Sequence, residues 1–323
     1  MNITRGLPPA PLATFPVLTI GNFDGQHVGH RALLESVVEN AQRLNGVPMV
    51  LSFDPHPIEV LRPGTVPKFL SDAQEKYDFF ERLGIKELII LPFTQDLAGL
   101  NPEGFVRQVL HKGLGVRLLL VGDNFVFGQG RRGTIQDLVR LGAQTNFQVL
   151  PVTPVVLDGA VVSSTRIRKC LTGGNVVEGR QCLGRPYRLT STVIEGEKRG
   201  RQLGWPTANL RIPPHRVLPA DGIYATLTEI DGECLSSVTY IGKRTTFQDG
   251  ERLLEVHIFD QTLKLYGKDI SVSFLEQVRE DMTFSNVDDL LKQMDLDGIQ
   301  ARAIVAKYQD SLPHLLMANK GND

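Results

Sequence analysis

The sequence predicts two domains, an α/β domain built on a parallel sheet and then an antiparallel β-barrel with helices near the end of the chain. In the first half, short apolar runs alternate with segments of helical periodicity, which is typical of a parallel sheet with helices on both faces. After Gly173-Gly174-Asn175 the pattern changes to short strands separated by turns such as Asp231-Gly232, which favours a small barrel. A chain of 323 residues is also long for a single core.

The periodic segments define the expected elements in order. The first domain is expected over residues 1–183, with strands at 17–20, 48–53, 87–92, 118–121 and 148–151 and helices at 27–44, 72–83, 102–111, 134–141 and 164–171. The second domain is expected over residues 184–313, with strands at 187–194, 222–230, 233–241, 254–260 and 268–274 and two helices near 286–294 and 298–310. Residues 314–323 are expected to be a tail.

Composition restricts the class of protein. The net charge of −1 argues against a general nucleic-acid binder, which needs an excess of cationic side chains. No apolar run approaches the length of a membrane span. The three cysteines are too widely spaced for a metal knuckle, and no secretory signal pattern precedes the first strand, so we expect a cytoplasmic protein.

The segment Gly21-Asn22-Phe23-Asp24-Gly25-Gln26-His27-Val28-Gly29-His30 is the most informative part of the chain. It joins the first expected strand to the first expected helix, and its two histidines lie three residues apart on one helix face. Helix N-termini attract anions, so the segment predicts a phosphate site and nucleotide chemistry. The alternative is that the glycines serve only the turn and the histidines are solvated.

Three other segments of the first half carry polar residues at element ends. Asp54-Pro55 ends the second strand, where a carboxylate can hold a metal or a ribose hydroxyl, although it can also simply cap a turn. The loop with Asn124, Phe125 and Arg131 follows the fourth strand, and its aromatic, amide and cationic groups suit a flat ring and a phosphate. The alternative is a mobile glycine loop with solvated arginines.

The segment Val162-Ser163-Ser164-Thr165-Arg166-Ile167-Arg168 is rich in hydroxyl groups and then basic. The serines can cap the helix that follows, and the hydroxyls together with Arg168 suit a triphosphate. Helix capping alone would explain the serines but not the arginines.

In the second half, a basic glycine-rich loop leads into Pro206-Thr207-Ala208-Asn209. Loop N–H groups with Lys198 or Arg201 can cradle phosphates. Thr207 and Asn209 face the same side of an extended strand, where two oxygens can share a magnesium ion with phosphate. The alternative is an exposed charged hairpin.

The strand around Leu254-Glu255-Val256-His257 alternates apolar and polar residues, as barrel strands do. Glu255 lies among apolar neighbours and is a candidate general base. The alternative is a glutamate that faces water from an edge strand.

The first-half motifs resemble the FMN adenylyltransferase module of bacterial bifunctional riboflavin kinase/FAD synthetases, whose fold is a Rossmann-like nucleotidylyltransferase domain. The patterns F-D-G-x-H-x-G-H, F-[DE]-P-H-P, V-G-x-[DN]-F-x-F-G and S-S-T-x-I-R all occur in order. The resemblance implies that FMN and ATP react to give FAD and pyrophosphate, with magnesium on the triphosphate. The implied catalytic and nucleotide-binding residues are His27, His30 and Arg168, with Gly21, Phe23, Asp24, Gly25, Gly29, Ser163, Ser164 and Thr165. The implied FMN-site residues are Asp54, Pro55, Asn124, Phe125 and Arg131.

The second half resembles the riboflavin kinase module of the same family. The pattern G-x-x-x-G-R-x-L-G-[FW]-P-T-A-N occurs from Gly196 to Asn209, followed by L-E-V-H and L-Y-G. The resemblance implies that Thr207 and Asn209 hold Mg-ATP and that Glu255 deprotonates the riboflavin 5′-hydroxyl. The implied phosphate-binding residues are Gly196, Lys198, Gly200, Gly204 and Pro206. The implied flavin-side residues are Arg279 and Met282.

The chain departs from the family pattern at three positions. Ser191 replaces a usual glycine, Tyr240 replaces asparagine and Thr245 replaces proline in N-I-G-x-R-P-T-F. The predicted protein is an enzyme that uses riboflavin, FMN and ATP as small-molecule substrates, with neither nucleic acid nor membrane as a partner. Three alternatives are another nucleotidylyltransferase, an enzyme whose kinase half has decayed, and a flavin or nucleotide sensor without turnover.

Overall fold

The computed structural model describes residues 1–64, 68–196, 200, 204–243, 252–261 and 263–308. The chain divides into two compact units, Met1–Ser163 and Ser164–Asp323. The boundary expected between residues 183 and 184 lies later in the chain, and as a division between functional domains it stays a prediction. Lys198, Arg201, Thr245 and the expected tail at 314–323 lie outside the described residues.

The first unit is built on a six-stranded sheet in which all neighbouring strands are parallel. The strand order is β1-β4-β3-β2-β5-β6. The strands are β1 (Asn2–Arg5), β2 (Pro16–Ile20), β3 (Val47–Asp54), β4 (Glu87–Pro92), β5 (Leu118–Gly122) and β6 (Gln148–Val152). The predicted parallel sheet is therefore confirmed. Only β1, a mostly exposed edge strand without an apolar run, was not predicted.

Helices cover both faces of this sheet. The helices are α1 (Val28–Arg43), α2 (Pro57–Leu61), α3 (Ala73–Arg82), α4 (Gln95–Gly99), α5 (Pro102–Phe105) and α6 (Ile135–Gln144). Alternate residues of one strand enter different cores: Val50 packs in the cluster that includes α1 and α3, and Met49 and Leu51 pack in the cluster that includes α6. This two-sided burial explains why the strands read as continuous apolar runs.

Some helical elements differ from expectation. The helix expected at 102–111 is α-helical only over α5 and continues as a π-helical segment, Val106–Gly113. The short α2 and α4 and the hairpin of β7 (Val156–Leu157) and β8 (Ala160–Val161) were not predicted. Such short elements contain too few residues to show a periodicity.

The sheet order places two predicted segments at the same edge. The chain builds outward from β2 through β3 and β4, and then returns to place β5 on the other side of β2. Ligands of open parallel sheets bind where the strand order reverses, beyond the carboxyl ends of the strands. The turn after β2, which carries His27, and the loop after β5, which carries Asn124, both leave the sheet at this point.

The second unit contains a closed antiparallel barrel in the order β10-β13-β12-β11-β14-β9, as predicted. Its strands are β9 (Tyr187–Ile194), β10 (Ala208–Leu210), β11 (Gly222–Ile230), β12 (Glu233–Lys243), β13 (Arg252–Ile258) and β14 (Asp269–Glu280). Two helices precede the barrel, α7 (Ser164–Thr172) and α8 (Val176–Leu183). The glycine-asparagine break was expected to end the helical region, but Asn175 instead caps α8 by accepting from the Glu178 N–H.

The two faces of β11 and β12 have opposite character. Ala225, Leu227 and Val238 pack with the long helix α9 (Val287–Tyr308). The intervening residues point the other way and are fully buried hydroxyls. Thr226, Thr228, Ser237 and Thr239 bond to one another at 2.8 Å. The barrel interior therefore contains a polar cluster whose hydroxyls are mutually hydrogen-bonded, beside buried apolar residues such as Phe274 and Val272.

The prediction of two helices near 286–294 and 298–310 was wrong, because α9 is continuous through Gly298. This glycine does not end the helix but makes room for a neighbour. A Cβ built on Gly298 would lie 2.6 Å from Cη2 of Trp205. The indole is held in place by the Asp295 carboxylate, 3.3 Å from Nε1, and by the His257 ring, whose centroid is 4.5 Å away.

Replacing Gly298 with alanine should therefore destabilise the second unit by about 1–3 kcal/mol through overpacking. Helix propensity alone predicts the opposite sign, a gain of about 1 kcal/mol. Denaturant unfolding followed by fluorescence measures the effect on this unit, since Trp205 is the single tryptophan of the chain. The exposed Gln300→Ala is the matched control on the same helix. Equal stability of the two variants would contradict the packing role of Gly298.

Candidate active sites

The turn after β2 is held by a buried carboxylate. Asp24 is 5% exposed, and it accepts hydrogen bonds from the backbone N–H groups of Leu70 and Ser71 at 3.0 and 3.1 Å. A second hydrogen bond joins the same two segments, because the Oγ of Ser71 accepts from the Gly25 N–H at 3.0 Å. Gly25 has φ +84°, which suits glycine. Asp24 and Gly25 therefore hold the turn in place, and the nucleotide-binding role expected for Asp24 stays a prediction.

The two predicted histidines come together at the start of α1. His27 is the N-cap residue, and its Nδ1 accepts from the His30 N–H at 3.2 Å. The two rings stack with centroids 3.6 Å apart and planes 17° from parallel. Since Nδ1 of His27 is an acceptor, its neutral form carries the proton on Nε2. The pair therefore presents imidazole edges beside the N–H groups of a helix start.

His30 is held in its neutral form. Desolvation, and secondly the adjacent His27, keep the pKa of His30 well below its usual value. Its Nδ1 is buried and has no hydrogen-bond partner among the described residues. Gly29 keeps the arrangement open, because a Cβ there would lie 3.2 Å from the His27 ring. The same Cβ would lie 3.9 Å from the Val162 carbonyl oxygen, so the chain just before Ser163 passes the start of α1.

Two candidate residues of the turn, Gly21 and Phe23, stabilise its structure. Phe23 is 2% exposed, and its ring meets Phe80 and His30 edge-on with centroids 5.3 and 5.2 Å away. The Phe23 side chain is therefore core and not a ligand surface. A Cβ on Gly21 would lie 3.1 Å from that ring, which explains the glycine at the end of β2.

The FMN-site candidates lie at the ends of β3 and β5. Asp54 is exposed and pairs with Arg5 of β1 at 3.3 Å, and Pro55 follows it through a cis peptide bond. Asn124 and Arg131 are exposed in the segment after β5. The Phe125 ring packs against Phe127 with centroids 6.1 Å apart, at the margin of the core. Phe125 is thus partly buried, and its contact with FMN stays a prediction.

The hydroxyl-rich segment crosses the boundary between the units. Ser163 ends the first unit, whereas Ser164, Thr165 and Arg168 lie in α7 of the second unit. Ser164 and Arg168 are partly buried and Thr165 is exposed. Their contact with a triphosphate stays a prediction.

In the barrel, three polar side chains form a row across neighbouring strands. Asn209 of β10 lies directly opposite Glu255 of β13, and Glu255 lies directly opposite Tyr240 of β12. Directly opposed residues of antiparallel strands share one face. The Thr207 hydroxyl approaches the Glu255 carboxylate at 3.4 Å. The strand register therefore assembles the predicted kinase residues from segments almost fifty positions apart.

The oxygen atoms of this row suit a hard divalent cation. Asn209 Oδ1 is buried without a hydrogen-bond partner among the described residues. Thr207 and Glu255 contribute a hydroxyl and a carboxylate beside it. Neutral oxygens with one carboxylate match the preference of magnesium for oxygen ligands shared with phosphate. These residues fit the predicted Mg-ATP site.

Glycines of the preceding loop make room for this site. A Cβ on Gly196 would lie 2.2 Å from Nδ2 of Asn209, and a Cβ on Gly200 would lie 2.3 Å from the Trp205 carbonyl oxygen. Gly204 has φ +81°. The Pro206 carbonyl bonds to Nδ1 of His257 at 2.8 Å, which ties β13 to the loop. These glycines and Pro206 therefore shape the backbone of the loop that is expected to bind phosphate.

The flavin-side candidates are Arg279 and Met282. Arg279 makes a bidentate contact with Asp297, which is 4% exposed, at 2.9 and 2.8 Å, and its third nitrogen donates to the Glu280 carbonyl. The guanidinium thus forms an ion pair between β14 and α9, and its contact with the flavin stays a prediction. Met282 is 50% exposed and remains available to a ligand.

Tyr240 is placed beside Glu255 by the register. Its hydroxyl lies 3.4 Å from the Asp281 carboxylate, and burial, followed by Asp281, raises the pKa of Tyr240 to about 12. A Cβ on Gly242 would overlap the Tyr240 hydroxyl, so the ring lies over that glycine. The substitution at this position therefore changes the wall of the kinase site itself.

Comparisons with known proteins agree with these two sites. A family model for FAD synthetase matches residues 13–166, and a family model for riboflavin kinase matches residues 183–305. The bifunctional riboflavin kinase/FMN adenylyltransferase of Pseudomonas fluorescens is 38% identical over 90% of this chain and 93% of its own. This chain belongs to that family. The enzyme of the same name from Escherichia coli K12 is 34% identical over 88% of this chain and 91% of its own.

A solved structure of similar fold matches almost the whole length of this chain. The crystal structure described as a macrolide-efflux protein from Streptococcus pneumoniae gives a TM-score of 0.83 at 28% identity and covers 94% of this chain and 99% of that one. In the described part of this chain, none of the helices is long and apolar enough to cross a membrane.

Sequence reasoning did not predict the polar cluster of Asn22, His56 and Lys76 in the first unit. Asn22 contacts Nε2 of His56 at 3.1 Å, and both lie near Lys76 of α3. His56 lies within the F-D-P-H-P motif, which could have suggested a role. Lys76 is one of many polar residues on an amphipathic helix, so no local signal distinguishes it.

The lowered pKa of His30 predicts acid sensitivity. Between the lowered pKa and the value near 6.5 of an unfolded histidine, the unfolded chain binds more protons, so stability falls as the pH drops through that range. His30→Gln should lose less unfolding free energy than the wild type between pH 7.5 and 5.5, measured by denaturant unfolding and circular dichroism. The exposed His111→Gln should behave as the wild type. An equal loss in His30→Gln would refute a neutral, desolvated His30.

Proposed function

We propose that this chain makes FMN from riboflavin in its barrel unit and FAD from FMN in its parallel-sheet unit, with ATP as the donor in both steps. The supporting observation is that each half matches one of the two family models and carries a site of corresponding chemistry. A cytoplasmic location is also proposed, which the three free cysteines support.

In the adenylylation step, a phosphate oxygen of FMN attacks the α-phosphorus of ATP in line and pyrophosphate leaves. No covalent enzyme intermediate is required, so the protein contributes positioning and charge stabilisation. His27 offers an Nε2–H donor and His30 a neutral ring beside the N–H groups of α1. Arg168, Ser163, Ser164 and Thr165 are proposed to hold the triphosphate, with Asp54, Pro55, Asn124 and Arg131 on the FMN side.

In the kinase step, Glu255 is proposed to accept the proton of the riboflavin 5′-hydroxyl as that oxygen attacks the γ-phosphorus of ATP. Thr207 and Asn209 are proposed to hold magnesium, which when bound would neutralise charge on the ATP phosphates. The loop with Gly196, Lys198, Gly200 and Gly204 is proposed to cradle those phosphates. Met282 is proposed to lie on the flavin side.

A second candidate is an enzyme that retains only adenylylation. Tyr240 favours it, because this tyrosine stands next to Glu255 where the family usually has asparagine. Incubation with riboflavin, ATP and magnesium, and separately with FMN, followed by chromatography of the flavins, distinguishes the candidates. FAD from both substrates supports two activities, FAD from FMN alone supports the second candidate, and no product contradicts an enzyme.

The double variant His27→Ala/His30→Ala should lower kcat/KM for FAD formation from FMN by about 100-fold or more, because the donors at the α-phosphate are lost. FMN formation from riboflavin by the same preparation should be unchanged. His111→Ala, at an exposed histidine of the same unit, is the control. Unchanged FAD formation in the double variant would rule out this adenylylation site.

Glu255→Gln should lower FMN formation by about 100-fold or more, because the amide cannot accept the hydroxyl proton. FAD formation from FMN should remain at the wild-type rate. Glu233→Gln, at an exposed glutamate of the barrel, serves as control. A full rate of FMN formation in Glu255→Gln would exclude Glu255 as the base.

A further inference from the structure

A pocket of about 210 Å³ in the first unit includes in its wall Asn22, a residue of the turn that carries the histidine pair. It is formed where β3 ends, between α2 and α3, and its wall includes Asn22, Asp54, His56, Phe69, Lys76 and Tyr77. Asn22 immediately precedes Phe23, whose ring supports His30. The turn after β2 therefore connects the pocket wall at Asn22 to the histidine pair.

Lys76 brings a partly buried positive charge to the wall of this pocket. Within the described ranges, its ammonium group has no hydrogen-bond or ion-pair partner. Partial burial is the main cause that lowers the pKa of Lys76, and the negative charges of Asp24, Asp54 and Asp72 partly oppose it. A partly buried charge without a partner is costly, so such a cation is expected to meet an anion.

The neighbouring carboxylates are engaged elsewhere. Asp24 accepts from two backbone N–H groups, and Asp72 caps α3 by accepting from the Glu75 N–H at 2.8 Å. Asp54 pairs with Arg5 at 3.3 Å. Glu59 accepts from the His56 N–H as part of the α2 capping box. Asp54, Glu59 and Asp72 line the pocket with Lys76, but among the described residues none of these carboxylates forms a direct ion pair with its ammonium group.

A second pair of side chains adds hydrogen-bond donors to the wall. Nδ1 of His56 accepts from the Ile58 N–H, so the neutral ring carries its proton on Nε2. Asn22 can accept that proton only with its amide oxygen, so the oxygen faces Nε2 of His56. Turning the amide by 180° exchanges its oxygen and nitrogen without moving the group. The other atom of the Asn22 amide has no hydrogen-bond partner among the residues that the structure describes, and in this orientation it is the NH₂ group.

The size of the pocket indicates which part of a substrate it holds. Whole ligands of cofactor size occupy about 300–1,000 Å³. A pocket of about 210 Å³ with one cation suits the phosphate end of a flavin mononucleotide, with the flavin ring extending beyond it. The ATP triphosphate is already accounted for at the start of α1.

We propose that Lys76 binds the 5′-phosphate of FMN in this pocket, orients it for attack, and thereby selects FMN over riboflavin for adenylylation. This inference rests on the proposed FAD-forming activity. An oxygen of the bound phosphate forms a bond to the α-phosphorus of ATP, and the bond from that phosphorus to the β-bridging oxygen breaks. Pyrophosphate leaves with the electron pair. Lys76 stays protonated, and no proton is transferred.

The test is steady-state adenylylation by the full chain with FMN and Mg-ATP. Lys76→Met should raise the KM for FMN about tenfold or more, the order expected for loss of a charged hydrogen bond. The KM for ATP and the rate of FMN formation from riboflavin should stay within twofold of the wild type. Lys76→Arg, which keeps the charge, should recover most of the affinity for FMN.

Lys112→Met, at an exposed lysine of the same unit, is the matched control and should leave both KM values unchanged. An unchanged KM for FMN in Lys76→Met would overturn the inference while leaving the adenylyltransferase intact. A parallel rise in both KM values without recovery by Lys76→Arg would also overturn it, since this indicates a structural role. A wild-type chain that forms no FAD would instead overturn the proposed function, and this inference with it.

Discussion

The buried carboxylate of Asp24 is the interaction on which the first site depends. It connects the turn after β2 to the segment that leads into α3, through the N–H groups of Leu70 and Ser71. Buried carboxylates require such donors, so the two segments cannot separate without leaving a charge unsatisfied. The turn itself contains strained positions, with Phe23 at φ 51° and Gln26 at φ 41°. Strain of this kind persists only where surrounding contacts hold it.

This one contact positions both halves of the adenylylation site. On one side it sets the end of the turn, where His27 becomes the cap of α1 and stacks on His30. On the other side Ser71 is followed by Asp72, the cap of α3, and one turn later α3 presents Lys76 to the pocket. The histidine pair and Lys76 come from different helices. The Asp24 carboxylate connects the two segments that lead into these helices.

In the barrel, the residues of the second site are aligned by the register of the strands. Asn209, Glu255 and Tyr240 come from three strands, and their alignment follows from the pairing of β10, β13 and β12. A shift by one residue would turn Glu255 to the other face. The hydroxyl network of Thr226 and its neighbours inside the barrel, and α9 packed outside it, stabilise that pairing from both faces. Gly298 and Trp205 then connect α9 to the phosphate loop.

The sequence by itself determined the elements whose pattern is local. The strands at 87–92, 187–194 and 222–230 were predicted to the residue, because apolar runs bounded by turns are visible within a short window. The same holds for site residues that are close in sequence, His27 with His30 and Thr207 with Asn209, since their spacing within one element places them on one side.

Tertiary structure decided what depends on distant partners. Only the fold shows that the Arg279 guanidinium forms an ion pair with Asp297 of another element. A second helix was expected to begin at Gly298, but α9 is continuous through this glycine, which makes room for the Trp205 ring. Asp24 belongs to the predicted motif, yet only the fold shows that its carboxylate binds Leu70 and Ser71. The charge of Lys76 is informative only once its neighbours are known. Periodicity and capping are properties of a short segment, whereas burial and charge compensation are set by contacts between segments that no local pattern encodes.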